Sequence, residues 1–132
     1  MGLVLRSVML GLLPGLCVAT ALRAEEQKPS RGEELWQTRC ALCHPLYPPP
    51  TKAPPGMGIV MHYSATHPGR EDFAQAVARW VAAPSKERSA MPAHAIERFG
   101  LMPPFPYAED EVKEIARWLW DTFANRGMRR GP

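Results

Sequence analysis

Cys40, Cys43 and His44 are the residues whose types and spacing most directly suggest chemistry. They stand in the run Cys40-Ala41-Leu42-Cys43-His44, two thiols three positions apart with an imidazole beside the second. Three residues is close to one helical turn, so the two thiols project from the same face of the chain. A C-x-x-C-H run is the signature of covalent haem attachment, in which the thiols add across the porphyrin vinyl groups and the histidine ligates the iron. Two other chemistries use parts of the pattern. Zinc would need further Cys or His at matching spacing, and a thioredoxin-type redox pair would need a βαβ setting. The sequence offers neither, so haem is the expected partner of the motif.

The elements that must position these groups are legible on either side. Ser30 with Glu33 three residues on reads as a capping box. Gly32, Leu35, Trp36 and residues 39–43 recur at helical spacing, which predicts a helix over 31–43 with the motif at its C-terminal end. Pro45 ends it, because proline has no N–H for the helical ladder. Residues 45–69 hold Pro45, Pro48, Pro49, Pro50, Pro54, Pro55, Gly56 and Gly58 and read as one long Pro-rich loop on the His44 side of the haem. Ile59, Val60, Met61 and Tyr63 supply apolar surface there for a pocket wall.

Further along, Glu71 and Asp72 favour the N-terminal dipole of a helix over 70–83, whose apolar stripe is Phe73, Ala76, Val77, Trp80 and Val81. A charged turn over 85–89 precedes Met91-Pro92, a short helix over 94–99 and Gly100. Residues 101–106, Leu-Met-Pro-Pro-Phe-Pro, are non-helical. The longest helix is expected over 108–125, acidic in its first turn, buried through Val112, Ile115, Ala116, Leu119 and Phe123, and capped near Arg126 and Gly127. No stretch alternates with period two and no internal repeat appears. The expected fold is therefore all-α, one domain, with one haem.

Composition adds an address. Residues 1–24 carry Arg6, an apolar run over 8–20 and small residues at Ala19, Ala21 and Ala24, the layout of a secretory signal with cleavage after Ala21 or Ala24. The apolar run is short for a membrane span, which needs about 20 residues. Export places the rest, 25–132, in the periplasm; an uncleaved signal would instead anchor it to the outer face of the inner membrane. Without residues 1–24 the chain loses two of its 16 basic residues, Arg6 and Arg23, and none of the 13 acidic ones, so the formal charge falls from +3 to +1. That balance gives no argument for nucleic-acid binding, which requires a concentrated basic face, and no nucleic-acid partner is expected. Cleavage also removes Cys17, leaving only the two motif cysteines and no disulfide framework. Arg126, Arg129 and Arg130 form a basic, flexible tail over 126–132.

With these residues in place, the chain resembles the small single-haem c-type cytochromes of class I over essentially its whole mature length. Gly32 and Trp36 match the glycine and aromatic of that family's N-terminal helix, and Trp118 matches the aromatic of its C-terminal helix. Met102-Pro103-Pro104-Phe105, a few residues before an acidic helix start, looks like the family's distal methionine loop. Ala108 stands where the family carries a serine or aspartate cap, and the Pro-rich stretch and the Met91 segment are longer than in its compact members. The resemblance implies a cytochrome c-like helical domain wrapped around one covalently attached haem c, its N- and C-terminal helices crossing at the glycine.

It also implies roles. Cys40 and Cys43 would carry thioethers and His44 the proximal iron bond, with a proline carbonyl about ten residues on, Pro54 or Pro55 and preferably Pro54, accepting the second ring proton of His44. The sixth ligand is expected to be Met102. Met91 is the main alternative, and His62, His67 and His94 are the histidine candidates. Tyr63 and Trp80 are candidates for hydrogen bonds to a propionate. A haem with both axial positions filled has no site for substrate, so the expected function is one-electron transfer and not catalysis, through brief encounters with larger redox proteins. Two alternatives stand: a haem enzyme or gas sensor with an open or labile sixth position, and a fixed cytochrome subunit of a larger oxidoreductase.

Overall fold

The computed structural model describes residues 28–128, with side chains as far as Ala124. The expected signal segment, its Cys17, and the last residues of the basic tail lie outside the described residues. Among the described residues the fold is all-helical: α1 Arg31–Arg39, α2 Gly56–Thr66, α3 Arg70–Ala82, α4 Ala93–Phe99 and α5 Glu109–Met128, with a 3₁₀ turn at Lys86–Arg88. None of these helices is long and apolar enough to cross a membrane.

The first helix starts where its cap chemistry places it, with the Glu33 N–H donating to Ser30 Oγ at 3.3 Å. It buries Gly32 and Trp36, four residues apart on one face. It ends four residues sooner than the periodicity predicts, because the chain departs from helical geometry at Cys40. The Ala41 N–H reaches back to Trp36 O at 3.0 Å, and the Cys43 and His44 N–H groups both donate to Cys40 O, at 3.1 and 2.9 Å. The run over residues 40–44 is thus a set of tight turns capping α1.

The Pro-rich stretch is a loop only as far as Pro55, and α2 corrects the expectation for the rest of 45–69. Proline at a helix start loses nothing, since the first N–H groups have no intrahelical acceptor. Gly56, Val60 and Tyr63 are the buried residues of α2, at the i, i+4, i+7 spacing of a helix face. The Gly56 and Met57 N–H groups, orphans of that helix start, donate to the carbonyls of Pro45 and Leu46 at 2.9 and 3.1 Å. This fastens α2 to the segment directly after His44.

α5 is the central element and packs against α1, α2 and α3. Val112, Ile115, Ala116, Leu119 and Trp120 are buried along it, together with Phe73, Ala74, Val77 and Ala78 of α3. Phe123 is only partly buried and Trp120 takes the fuller core position. α5 also runs through Gly127 to Met128, into the expected tail; a glycine costs a helix about 1 kcal/mol but does not by itself stop one. Gly32 marks the close approach of α1 to α5. A Cβ there would lie 2.5 Å from Glu114 O and 2.5 Å from Trp118 Cβ.

Outside this core, ion pairs brace α3 against α5. Arg117 grips Glu71 with contacts of 2.7–3.1 Å and also bonds Glu114, while Arg70 holds Asp121 through two hydrogen bonds of 2.9 and 2.7 Å.

Candidate functional site

One cleft of about 240 Å³ receives most of the sequence-selected residues: Cys40, Cys43, His44, Pro54, Met91 and Met102 all line it. α1 and its capping turns supply the motif, the end of the Pro-rich loop supplies Pro54, and the segments on either side of α4 supply the methionines. Ile115 and Leu119 of α5 also line it. Its charged lining residues are Arg39 and Lys52, with no carboxylate among them. Chemically this is an apolar slot with thiol, imidazole and thioether groups in its walls and cations as its only full charges.

His44 is held in a defined state. Its Nδ1 lies 2.7 Å from the Pro54 carbonyl oxygen. A carbonyl oxygen can only accept, so Nδ1 carries the proton and donates, leaving the Nε2 lone pair available. Burial lowers the basicity of the ring, and the Pro54 hydrogen bond partly offsets that. His44 is therefore kept neutral, the form in which imidazole binds metals. The Trp36 ring packs beside it, centroids 6.2 Å apart.

Both motif cysteines are free thiols. Burial pushes the Cys40 thiol up to about 11, against the opposing pull of the neighbouring Arg39 cation. The proton therefore stays on Cys40 at neutral pH. No three His, Cys, Asp or Glu side chains converge as a metal-binding group among the described residues.

The other candidates divide cleanly. Met91 is partly buried against the core, with its N–H donating to Ser89 Oγ at 3.1 Å. Met102 sits after Gly100, whose φ of +75° turns the chain out of α4. His62, His67 and His94 do not line the cleft; His67 instead lies 3.1 Å from Asp72. Tyr63 and Trp80 do line it. The Tyr63 hydroxyl is buried beside Ser89 and the Ala90 backbone without forming a hydrogen bond of good geometry, and burial pushes its titration up to about 12. The Trp36 indole N–H is likewise buried and without a partner.

Three residues to which sequence reasoning gave no role, Arg39, Lys52 and Tyr107, also reach the cleft, as does Phe105 of the expected methionine loop. Phe105 and Tyr107 stack nearly parallel, 5.3 Å between centroids and 3° between planes. The Arg39 guanidinium covers the Tyr107 ring at 4.8 Å. The only sequence signal for Arg39 was its position directly before Cys40.

No family model matches the chain, and no solved structure matches it. A curated relative, an uncharacterized protein of Aquifex aeolicus (strain VF5), is 25% identical over 112 residues, covering 70% of this chain and 74% of that protein.

Proposed function

We propose that this chain is an exported class I c-type cytochrome that binds one haem c and carries single electrons between larger redox proteins. The observation that carries the reading is the convergence of Cys40, Cys43, the Pro54-held His44 and two methionines on one apolar cleft. That donor set fits haem c: two free thiols for its vinyl groups, a neutral imidazole and a thioether for its iron, apolar walls for its ring, and the cations Arg39 and Lys52 that could offset the charge of its acidic groups.

Cys40 and Cys43 would hold the group through thioethers and His44 would ligate through Nε2, with Met102 as the sixth ligand and Met91 the alternative. Bound haem would supply an Fe(III)/Fe(II) couple, with a thioether ligand favouring the ferrous state. Pro54 fixes the imidazole plane and raises its basicity as a ligand. In such a molecule α1 and α5 would cross at Gly32 as in the family, and the leader over 1–24 would deliver it to the periplasm. Both axial positions being filled, the chain would not act as an enzyme, and its encounters with redox partners would be brief.

The test is the absorption spectrum of the full-length protein from a host that attaches haem c. Haem that resists acid–acetone extraction, together with the weak far-red charge-transfer band of methionine–iron ligation, is expected. Met102→Ala should abolish that band and Met91→Ala should keep it. Loss of the band in Met91→Ala alone would exchange the two methionines. Fast cyanide or carbon monoxide binding by a wild-type protein lacking the band would favour the open-site enzyme or sensor, and absence of covalent haem would overturn the proposal.

A further inference from the structure

The segment between α4 and α5 carries Met102, yet its backbone is weakly tied down. Pro103, Pro104 and Pro106 have no N–H to donate. Among the described residues, the backbone hydrogen bond that fastens residues 101–107 to the rest of the fold is Phe105 N–H to Val81 O, at 3.2 Å. What closes the segment over the cleft is a stack of side chains. Phe105 stacks nearly parallel to Tyr107, and the Arg39 guanidinium lies over the Tyr107 ring. Glu111, in the first turns of α5, accepts a hydrogen bond from the guanidinium, Arg39 Nη2 to Glu111 Oε1, at 3.0 Å. Arg39 is the residue immediately before Cys40, so the stack joins the attachment turn to the Met102 segment directly.

We propose that Arg39 is a positioning residue that clamps the Met102 segment to the attachment turn through Tyr107 and Phe105; this rests on the cytochrome reading of the site. Arginine suits the task because its planar cation can stack on a ring and pair with a carboxylate at once. Arg39 touches neither methionine nor iron in this role. It sets how often the segment swings away, and with it how often the sixth ligand leaves. An external ligand can enter only while the sixth position is open, so the clamp governs access to the iron.

Two rates on the full-length holoprotein test this: cyanide binding to the oxidised form, and hydrogen exchange of the Phe105 amide. Arg39→Gln and Tyr107→Leu should each raise both rates roughly two- to fivefold, the worth of a half-exposed cation–ring contact. Tyr107→Phe, which keeps the ring, should stay at the wild-type rates, and Arg39→Gln/Tyr107→Leu should exceed neither single variant appreciably, because the two residues act through one contact. Glu111→Gln should give a smaller rise than Arg39→Gln. Wild-type rates in Arg39→Gln would overturn the clamp, as would a Glu111→Gln effect equal to that of Arg39→Gln with Tyr107→Leu silent. A wild-type protein without haem would overturn the cytochrome reading instead, and Phe105 exchange, which needs no iron, would still decide the clamp.

Discussion

Replacing Gly32 with alanine should destabilise the protein even though alanine is the better helix former. The added Cβ would stand 2.5 Å from the Glu114 carbonyl oxygen and 2.5 Å from Trp118 Cβ, where ordinary contacts run 3.4–4 Å. Neither neighbour can swing aside: one is backbone inside α5 and the other is the root of a side chain. α1 would have to withdraw by about 1 Å, loosening Trp36 from Trp118 and from Gly56 of α2. Overpacking of this kind costs about 1–3 kcal/mol, offset by at most roughly 1 kcal/mol of helix propensity. The net loss is about 1–2 kcal/mol, which for a domain of this size lowers the melting temperature by about 5–15 °C. Thermal unfolding followed by circular dichroism measures it. A melting temperature equal to or above wild type would mean that the helices are not in contact at Gly32, and the packing argument would fail.

Gly58→Ala is the matched control and should go the other way, because its Cβ would meet only Pro55, at 3.6 and 3.7 Å; a gain of about 0.5 kcal/mol is expected in the same assay. The guanidinium of Arg117 holds the Glu71 carboxyl below its ordinary value. Its stabilising effect is therefore present above 4.5 and is lost as the pH falls through the lowered folded value, so Glu71→Gln should flatten the acid limb of the pH–stability curve; an unchanged limb would remove Glu71 from the brace. In haem-free polypeptide, Cys40 should alkylate slowly at pH 8 and accelerate as the pH approaches 11, following its thiolate fraction. Rapid labelling of Cys40 at pH 8, located by peptide mass mapping, would contradict its burial.

How much could be read in advance varied with the range of the forces involved. α3 and α4 lie within a residue or so of their expected spans, because acidic starts, apolar stripes and Gly100 are local signals. α2 was hidden by its own composition: two glycines and a preceding proline outvoted the i, i+4, i+7 placement of Gly56, Val60 and Tyr63, although a proline at a helix start is no obstacle. The early end of α1 was hidden for the opposite reason, since Cys40 and Cys43 fit helical spacing while the backbone turns more tightly there. Nothing in the sequence paired Arg39 with Tyr107, which are 68 positions apart in the numbering and brought together only by the fold.

The sequence by itself determined which groups the proposed attachment would use, because two thiols and an imidazole in five consecutive residues need no other part of the chain to stand together. It also determined that the fold would be helical, through hydrophobic periods that each span only a few turns. The Pro54 carbonyl beside His44 and the close approach of α1 to α5 at Gly32 were expected from the family resemblance, and the fold supplies both contacts; tertiary structure alone decided that Met91 and Met102 share one cleft which the three other histidines do not line, and that Arg39 lies over Tyr107. Those outcomes depend on distant segments burying a common surface, a sum of many weak contacts that no single stretch of sequence records.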